Sequence, residues 1–296
     1  MNKTSNLKGS AILLLAAFLW GISFVSQNEG VNVIDPYAFN GIRTLIGAFS
    51  LIPVILVFSL ANKNKQESKQ KNNKDLFLGS LFCGIVVCLA ATLQTLGIKQ
   101  GAGESGFITA LYIVFVPVIS IFLKKKIHLK SWLGVLIAFI GLYYLCGSFA
   151  FNINQIYLLL CAFFFAIHIL LVDYYSPKVD GVKLSCLQFF IAGSIDCIIM
   201  LFVDVPTLNE IVICLPHLLY AGVVSCAVAY TLQIIGQKYI NPTAGSLLMS
   251  FESVFAVLAG WIIQNNALSN NQIIGCIIIF IAIILVQLPE SKKITL

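Results

Sequence analysis

Charged side chains are scarce: they make up 10% of the 296 residues, against about a quarter in soluble domains. That shortage excludes an ordinary water-facing surface. Histidine is nearly absent, with three residues, and none stands at metal-ligand spacing. Nine cysteines contain no C-x-x-C pair, and nearly all sit in apolar runs, where cysteine acts as a small packing residue. Neither a metal site nor a disulfide framework is expected. Phosphate-cradling Gly-x-Gly-x-x-Gly loops and Gly-x-Ser-x-Gly elbows are missing. The chain is therefore expected not to be an enzyme and to need no cofactor. No small-residue cleavage site closes the first apolar run, so it is expected to stay as a helix instead of being removed as a signal peptide.

What the chain has in excess is hydrocarbon. Hydrophobic residues make up 59% of it, and the mean hydropathy is +0.96. Apolar runs of about 17 to 25 residues, enough to cross roughly 30 Å of bilayer as helix, lie at Ala11–Gln27, Tyr37–Leu60, Phe77–Ile98, Ser105–Leu123, Ser131–Ser148, Ile156–Val172, Leu184–Val203, Ile211–Ile235, Thr243–Ile263 and Gln272–Leu288. Barrel strands would alternate apolar and polar over about ten residues, whereas these runs are apolar on every side. The expectation is an all-α integral membrane protein with ten transmembrane helices.

Basic residues are retained on the cytoplasmic side of short loops. With both termini cytoplasmic, sixteen of the eighteen lysines and arginines fall in inner segments; only Lys99 is outside and only Arg43 within a span. This orientation suits a multi-pass protein of the plasma (inner) membrane. The formal net charge of +6 is spread over six inner segments, which fits contact with anionic lipid headgroups and excludes a nucleic-acid partner.

The run Thr92-Leu93-Gln94-Thr95-Leu96-Gly97-Ile98-Lys99 returns 139 positions later as Thr231-Leu232-Gln233-Ile234-Ile235-Gly236-Gln237-Lys238, with five identities in eight. An offset of 145 pairs Leu13-Leu14-Leu15-x-Ala17-Phe18 with Leu158-Leu159-Leu160-x-Ala162-Phe163. The units expected are 1–150 and 151–296. Five spans in each is an odd number, so the second copy enters from the opposite face. The result is a pair of inverted repeats with a site between them near mid-depth.

Trp20-Gly21-x-Ser23-Phe24 in the first span, Arg43 in the second, Leu111-Tyr112-Ile113-Val114-Phe115-Val116-Pro117 in the fourth and Glu252 in the ninth together make the chain resemble the EamA family of the drug/metabolite transporter superfamily. The likeness covers nearly the whole chain. It implies movement of small metabolites by alternating access, without a nucleotide-driven motor. Two positions depart from the family pattern. Ser253 stands where a proline usually follows the ninth-span glutamate, which puts a kink there in doubt. The fourth and ninth spans end on the Lys124 run and Gln264 instead of an acidic residue.

Charges inside hydrocarbon are costly, about 2.5–3.5 kcal/mol even on low estimates, so the ionisable residues of the spans are the strongest local clues. Glu252 lies near mid-depth, where it takes up a proton or contacts a cationic group; the competing reading is a protonated carboxyl bonded to a neighbouring helix. Asp196 suits a hydrated structural role, with coupling or gating as the alternative, and Arg43 a structural or gating pair with a carboxylate. His168 holds, by the offset of 145, the place of Ser23, and either couples proton movement to gating or bonds a neighbouring helix. Gln94 and Gln233 are repeat mates whose amides need partners in lipid. Trp20, Ser23, Phe24, Tyr112, Tyr230 and Phe251 complete the expected lining. Pro117 must release a carbonyl and bend or hinge its helix.

The expected activity is secondary transport of a small organic metabolite, amino-acid-like or drug-like, in the export direction, with protons as the candidate coupling ion. Uptake or exchange by the same fold is the alternative. A non-transporting scaffold or an intramembrane enzyme is the reading from another class.

Overall fold

The structure, a computed structural model, describes residues 3–61, 73–125, 129–146, 152–265, 267 and 269–287. The inner-loop lysines at 63, 65, 69 and 71, Lys126, Lys292, Lys293 and the expected span ends Ser148 and Leu288 lie outside the described residues.

Among the described residues every regular element is helical. Three long helices open the chain: α1 (Lys3–Gly30), α2 (Pro36–Ala61) and α3 (Asn73–Gly97). A short 3-10 turn (Ile98–Gln100) leads to α4 (Ala102–Thr109) and α5 (Tyr112–Phe122), followed by α6 (Leu129–Cys146). The second half holds α7 (Ile153–Tyr175), α8 (Gly181–Val203), α9 (Leu208–Leu219), a π-helical stretch (Tyr220–Ala229) and α10 (Tyr230–Gln237). It closes with α11 (Pro242–Met249), α12 (Glu252–Gln264) and α13 (Asn270–Gln287). Eight of these helical units are long and apolar enough to cross a membrane, counting α4–α5, α9–α10 and α11–α12 as one each. The apolar parts of α6 and α13 are shorter, Trp132–Gly141 and Asn270–Ala282. The chain is a multi-pass membrane protein.

Side chains and missing hydrogens set the helix ends. Asn152 and Thr207 each close a capping box at the start of α7 and α9, the reciprocal arrangement that satisfies two orphan amides. Asn241 caps α11 with Pro242 in its first turn, where the missing N–H costs nothing.

Two spans are broken at matching places. α4 gives way to α5 at Ala110–Leu111 and α11 to α12 at Ser250–Phe251, and at both breaks amides reach back only three residues. The expected bend at Pro117 is not where the fourth span breaks: α5 runs through Pro117, and the interruption comes before it. The ninth span breaks without any proline. There the hydroxyls of Ser246, Ser250 and Ser253 each donate to the carbonyl three residues back, Ser250 to Leu247 O and Ser253 to Ser250 O at 2.7 Å. Such bonds compete with the helix ladder.

Helices approach closely where glycine leaves room. A Cβ on Gly21 of α1 would stand 2.2 Å from the Phe255 Cβ of α12. On the π-helical stretch, a Cβ at Gly222 would meet Arg43 O of α2 at 2.7 Å, and one at Gly47 would meet the Cys226 Cβ at 2.6 Å. Small residues at such crossings let membrane helices pack backbone to backbone. Here they bring Ser225 and Arg43 to the same wall. α6 and α13 pack on each other in the same way at Gly141, whose Cβ would lie 2.9 Å from Ile279 Cγ1.

Candidate functional site

The centre of the bundle holds a small, partly open cavity of about 30 Å³. α1 contributes Trp20, Phe24 and Gln27, α2 Arg43, and α3 Gln94. α5 and α7 add Tyr112, Phe165 and Ile169. From the chain beyond α8 come Ser225, Tyr230, Gln233, Met249 and Glu252. Glu252 opens α12 directly after the break, and Tyr112 opens α5 directly after the other. Each interrupted span therefore presents its first residue past the interruption to the same space.

The cavity is polar but largely unsatisfied. Trp20 Nε1, Gln27 Oε1, Tyr112 OH, Gln233 Oε1 and Glu252 Oε1 are buried and have no hydrogen-bond partner. Tyr112 and Glu252 face each other closely enough for a side-chain hydrogen-bond interaction, although neither Tyr112 OH nor Glu252 Oε1 makes a hydrogen bond of good geometry. Gln94 is held weakly, its Nε2 donating to Thr109 Oγ1 at 3.4 Å. Each buried polar atom left alone costs on the order of 1–3 kcal/mol. Five such atoms converging on one space make a surface that a polar ligand satisfies. Aromatic rings frame it: Trp20 packs edge-on against Tyr230 with centroids 4.8 Å apart, and Tyr230 in turn against Phe189 at 5.0 Å.

Arg43 is the cation of the site, 3% exposed. Its Nε donates to Asn40 Oδ1 at 2.9 Å. Asn40 Nδ2 donates to Thr92 Oγ1 at 3.1 Å and also to Asp196 Oδ2. Thr92 Oγ1 donates to Asp196 Oδ1 at 2.7 Å. The expected pairing of Arg43 with a carboxylate is therefore indirect: the Asn40 amide stands between guanidinium and carboxylate. This network ties α2, α3 and α8 together behind the cavity wall.

Of the residues singled out from sequence, Trp20, Phe24, Arg43, Gln94, Tyr112, Tyr230, Gln233 and Glu252 line the cavity. Four lie elsewhere. Ser23 is fully buried and accepts from Gln27 Nε2 at 3.3 Å. His168 turns to α8, its Nε2 3.0 Å from Gln188 Oε1, and packs behind Tyr230 at 5.9 Å between centroids. Phe251 packs on Phe255 and Phe280. Asp196 belongs to the network just described. Asn40, Gln27 and Ser225 escaped the sequence reading. A polar amide one turn before Arg43 and another one turn after Ser23 were the signals available for the first two.

The chain matches the EamA-like transporter family twice, over residues 7–147 and 152–288. An uncharacterized transporter of Archaeoglobus fulgidus is 31% identical over 280 residues, covering 93% of this chain and 84% of that one. The uncharacterized transporter YoaV of Bacillus subtilis is 23% identical, covering 95% and 97%. A protein of solved crystal structure superposes with a TM-score of 0.72 over 96% of each chain at 15% identity, a likeness of fold. With a helical bundle built for lipid, a central polar cavity and a family match along almost its whole length, the chain belongs to the EamA-like transporter family.

Proposed function

We propose that the protein is a secondary transporter of the plasma membrane that exports a small zwitterionic, amino-acid-like metabolite by alternating access. Ten spans in two oppositely inserted five-helix units, 1–150 and 151–296, with both termini cytoplasmic, form the frame of this reading. Its support is the pair of sequence offsets, the two stretches of family match, and the matching breaks at Ala110–Leu111 and Ser250–Phe251.

The observation that carries the reading is the set of buried polar atoms without close partners around one central cavity. In this proposal Arg43 receives the carboxylate of the substrate, with Ser225 on the same wall. Glu252 and Tyr112 receive its ammonium group, and the amides of Gln27 and Gln233 complete the contacts. Trp20, Phe24 and Phe165 hold an apolar side chain. A charge-assisted hydrogen bond contributes about 1.5–3 kcal/mol, so either end group of the substrate matters strongly to binding.

Proteoliposomes loaded with a defined mixture of amino acids test the proposal. Mass spectrometry of the outside medium is expected to show protein-dependent release of at least one member, slowed about tenfold or more in Arg43→Gln and in Glu252→Gln. Release equal to that from empty liposomes, or unchanged in both variants, contradicts it.

A further inference from the structure

Each end of the bundle carries a contact that ties the finishing end of a broken span to the finishing end of an unbroken one. At one end Lys125 Nζ donates to Asp173 Oδ2 at 2.6 Å, joining the chain just past α5 to the last turn of α7. At the other, Gln264 Nε2 donates to Glu29 Oε1 at 2.6 Å, joining the last residue of α12 to the last turn of α1. Lys125 and Gln264 are 139 positions apart, the offset of the repeated octapeptide. Glu29 and Asp173 are 144 apart, within one residue of the other offset.

The backbone repeats the correspondence. Lys124, beside the first contact, and Asn265, beside the second, are both non-glycine residues with φ of 57°. Left-handed backbone costs most L-residues about 1–2 kcal/mol; Asn265 adopts it readily as a helix C-cap, whereas Lys124 holds it against local preference. Each contact sits next to the left-handed residue and holds the end in place.

We propose that Lys125–Asp173 and Gln264–Glu29 are the opposing gate latches of the transporter, the first closing the cavity toward the cytoplasm and the second toward the outside. The proposal rests on the reading of two oppositely inserted copies. Its mechanical basis is that all four spans joined by the latches line the cavity, α5 through Tyr112, α7 through Phe165, α12 through Glu252 and α1 through Trp20. Releasing a latch frees the half-helix beyond the break at Ala110–Leu111 or Ser250–Phe251 to swing away from its partner.

The latches differ in chemistry. The first is an ion pair, with side chains 41% and 22% exposed. The second joins a neutral amide to a carboxylate in the wall of an open cleft that also takes in Asn28 and His217. Water competes directly for that amide, so the outer latch is the one that opens more readily.

Accessibility of the cavity reports the latches without any substrate. Ser225→Cys supplies a thiol inside the cavity, and the protein without it is the blank for native cysteines. Labelling by a membrane-impermeant maleimide is measured from outside in intact cells and from the cytoplasmic face in inverted vesicles. Breaking a partly exposed pair shifts an equilibrium by roughly two- to fivefold. Asp173→Asn is expected to raise cytoplasmic labelling by that factor, with Lys125→Gln as the second variant should the first fail to fold. Gln264→Ala is expected to raise labelling from outside. Exchanging the pair, as Lys125→Asp with Asp173→Lys, restores the reference rate. Unchanged rates on both faces in folded variants, or an exchange that restores nothing, overturn the latches. Increases on the opposite faces keep the latches and overturn the orientation.

Discussion

Two buried polar regions lie side by side in this bundle, and they have been finished differently. In the α2–α3–α8 network the Asn40 amide uses both its donor and acceptor sides, and both oxygens of Asp196 accept hydrogen bonds. A turn away, the cavity leaves five polar atoms on Trp20, Gln27, Tyr112, Gln233 and Glu252 without partners. Both regions are as buried as any apolar core, so exposure does not separate them. Completion does: a satisfied network holds helices together, and an unsatisfied one waits for something to bind.

The largest expected effect falls on the satisfied side. Asp196→Ala strips the acceptor from Thr92 and Asn40 and leaves Arg43 without its indirect counter-charge. Removing one member of a buried charged network costs about 3–5 kcal/mol, read as a large drop in melting temperature in detergent. Asn40→Ala removes the amide bridge but keeps both charges, and is expected to cost about 1–3 kcal/mol in the same measurement. If either variant melts with the wild type, the network does not hold the fold.

The cavity should respond with the opposite sign. Glu252→Met replaces an unsatisfied buried carboxyl by an apolar side chain of similar length, and is expected to raise stability by about 0.5–2 kcal/mol while lowering transport. A destabilised Glu252→Met would show that the carboxyl is structural. Smallest of all, Tyr112→Phe deletes a buried hydroxyl whose one interaction, with Glu252, has poor geometry, so stability should rise by no more than about 1 kcal/mol. Transport in that variant should still slow, measured in proteoliposomes.

Much of the frame was legible in the chain. The apolar runs located the long helices to within about four residues, apart from the start of α1, which lies eight residues before the expected Ala11, because the bilayer demands a fixed length of uninterrupted apolar helix. Breaks and rotations were not legible. The interruption at Ala110–Leu111 has neither glycine nor proline at it, and that at Ser250–Phe251 arises from serine hydroxyls whose choice of carbonyl depends on the finished packing. The π-helical stretch at Tyr220–Ala229 lies where Gly222 and Gly47 bring a helix pair close together, a contact that no single-helix pattern reveals.

Side-chain direction was the other gap. Helices apolar all round give no stripe from which to read an inner face, so Ser23, His168 and Phe251 were grouped with Trp20, Tyr112 and Glu252 on depth alone. Rotation about the helix axis separates them: His168 points to Gln188 on α8, and Phe251 to Phe280 on α13. Asn40 stayed hidden because an asparagine in a span gains meaning only when its partners, 52 and 156 residues away, are known.

The central claim, that the unsatisfied cavity is where substrate binds, is tested most directly by the fluorescence of Trp20. With Trp132→Phe and Trp261→Phe leaving it as the only indole, titration with the amino acid that shows protein-dependent release is expected to give a saturable change, weakened about tenfold in Glu252→Gln. A fluorescence that does not respond to saturating substrate, in protein that still transports it, would contradict the account.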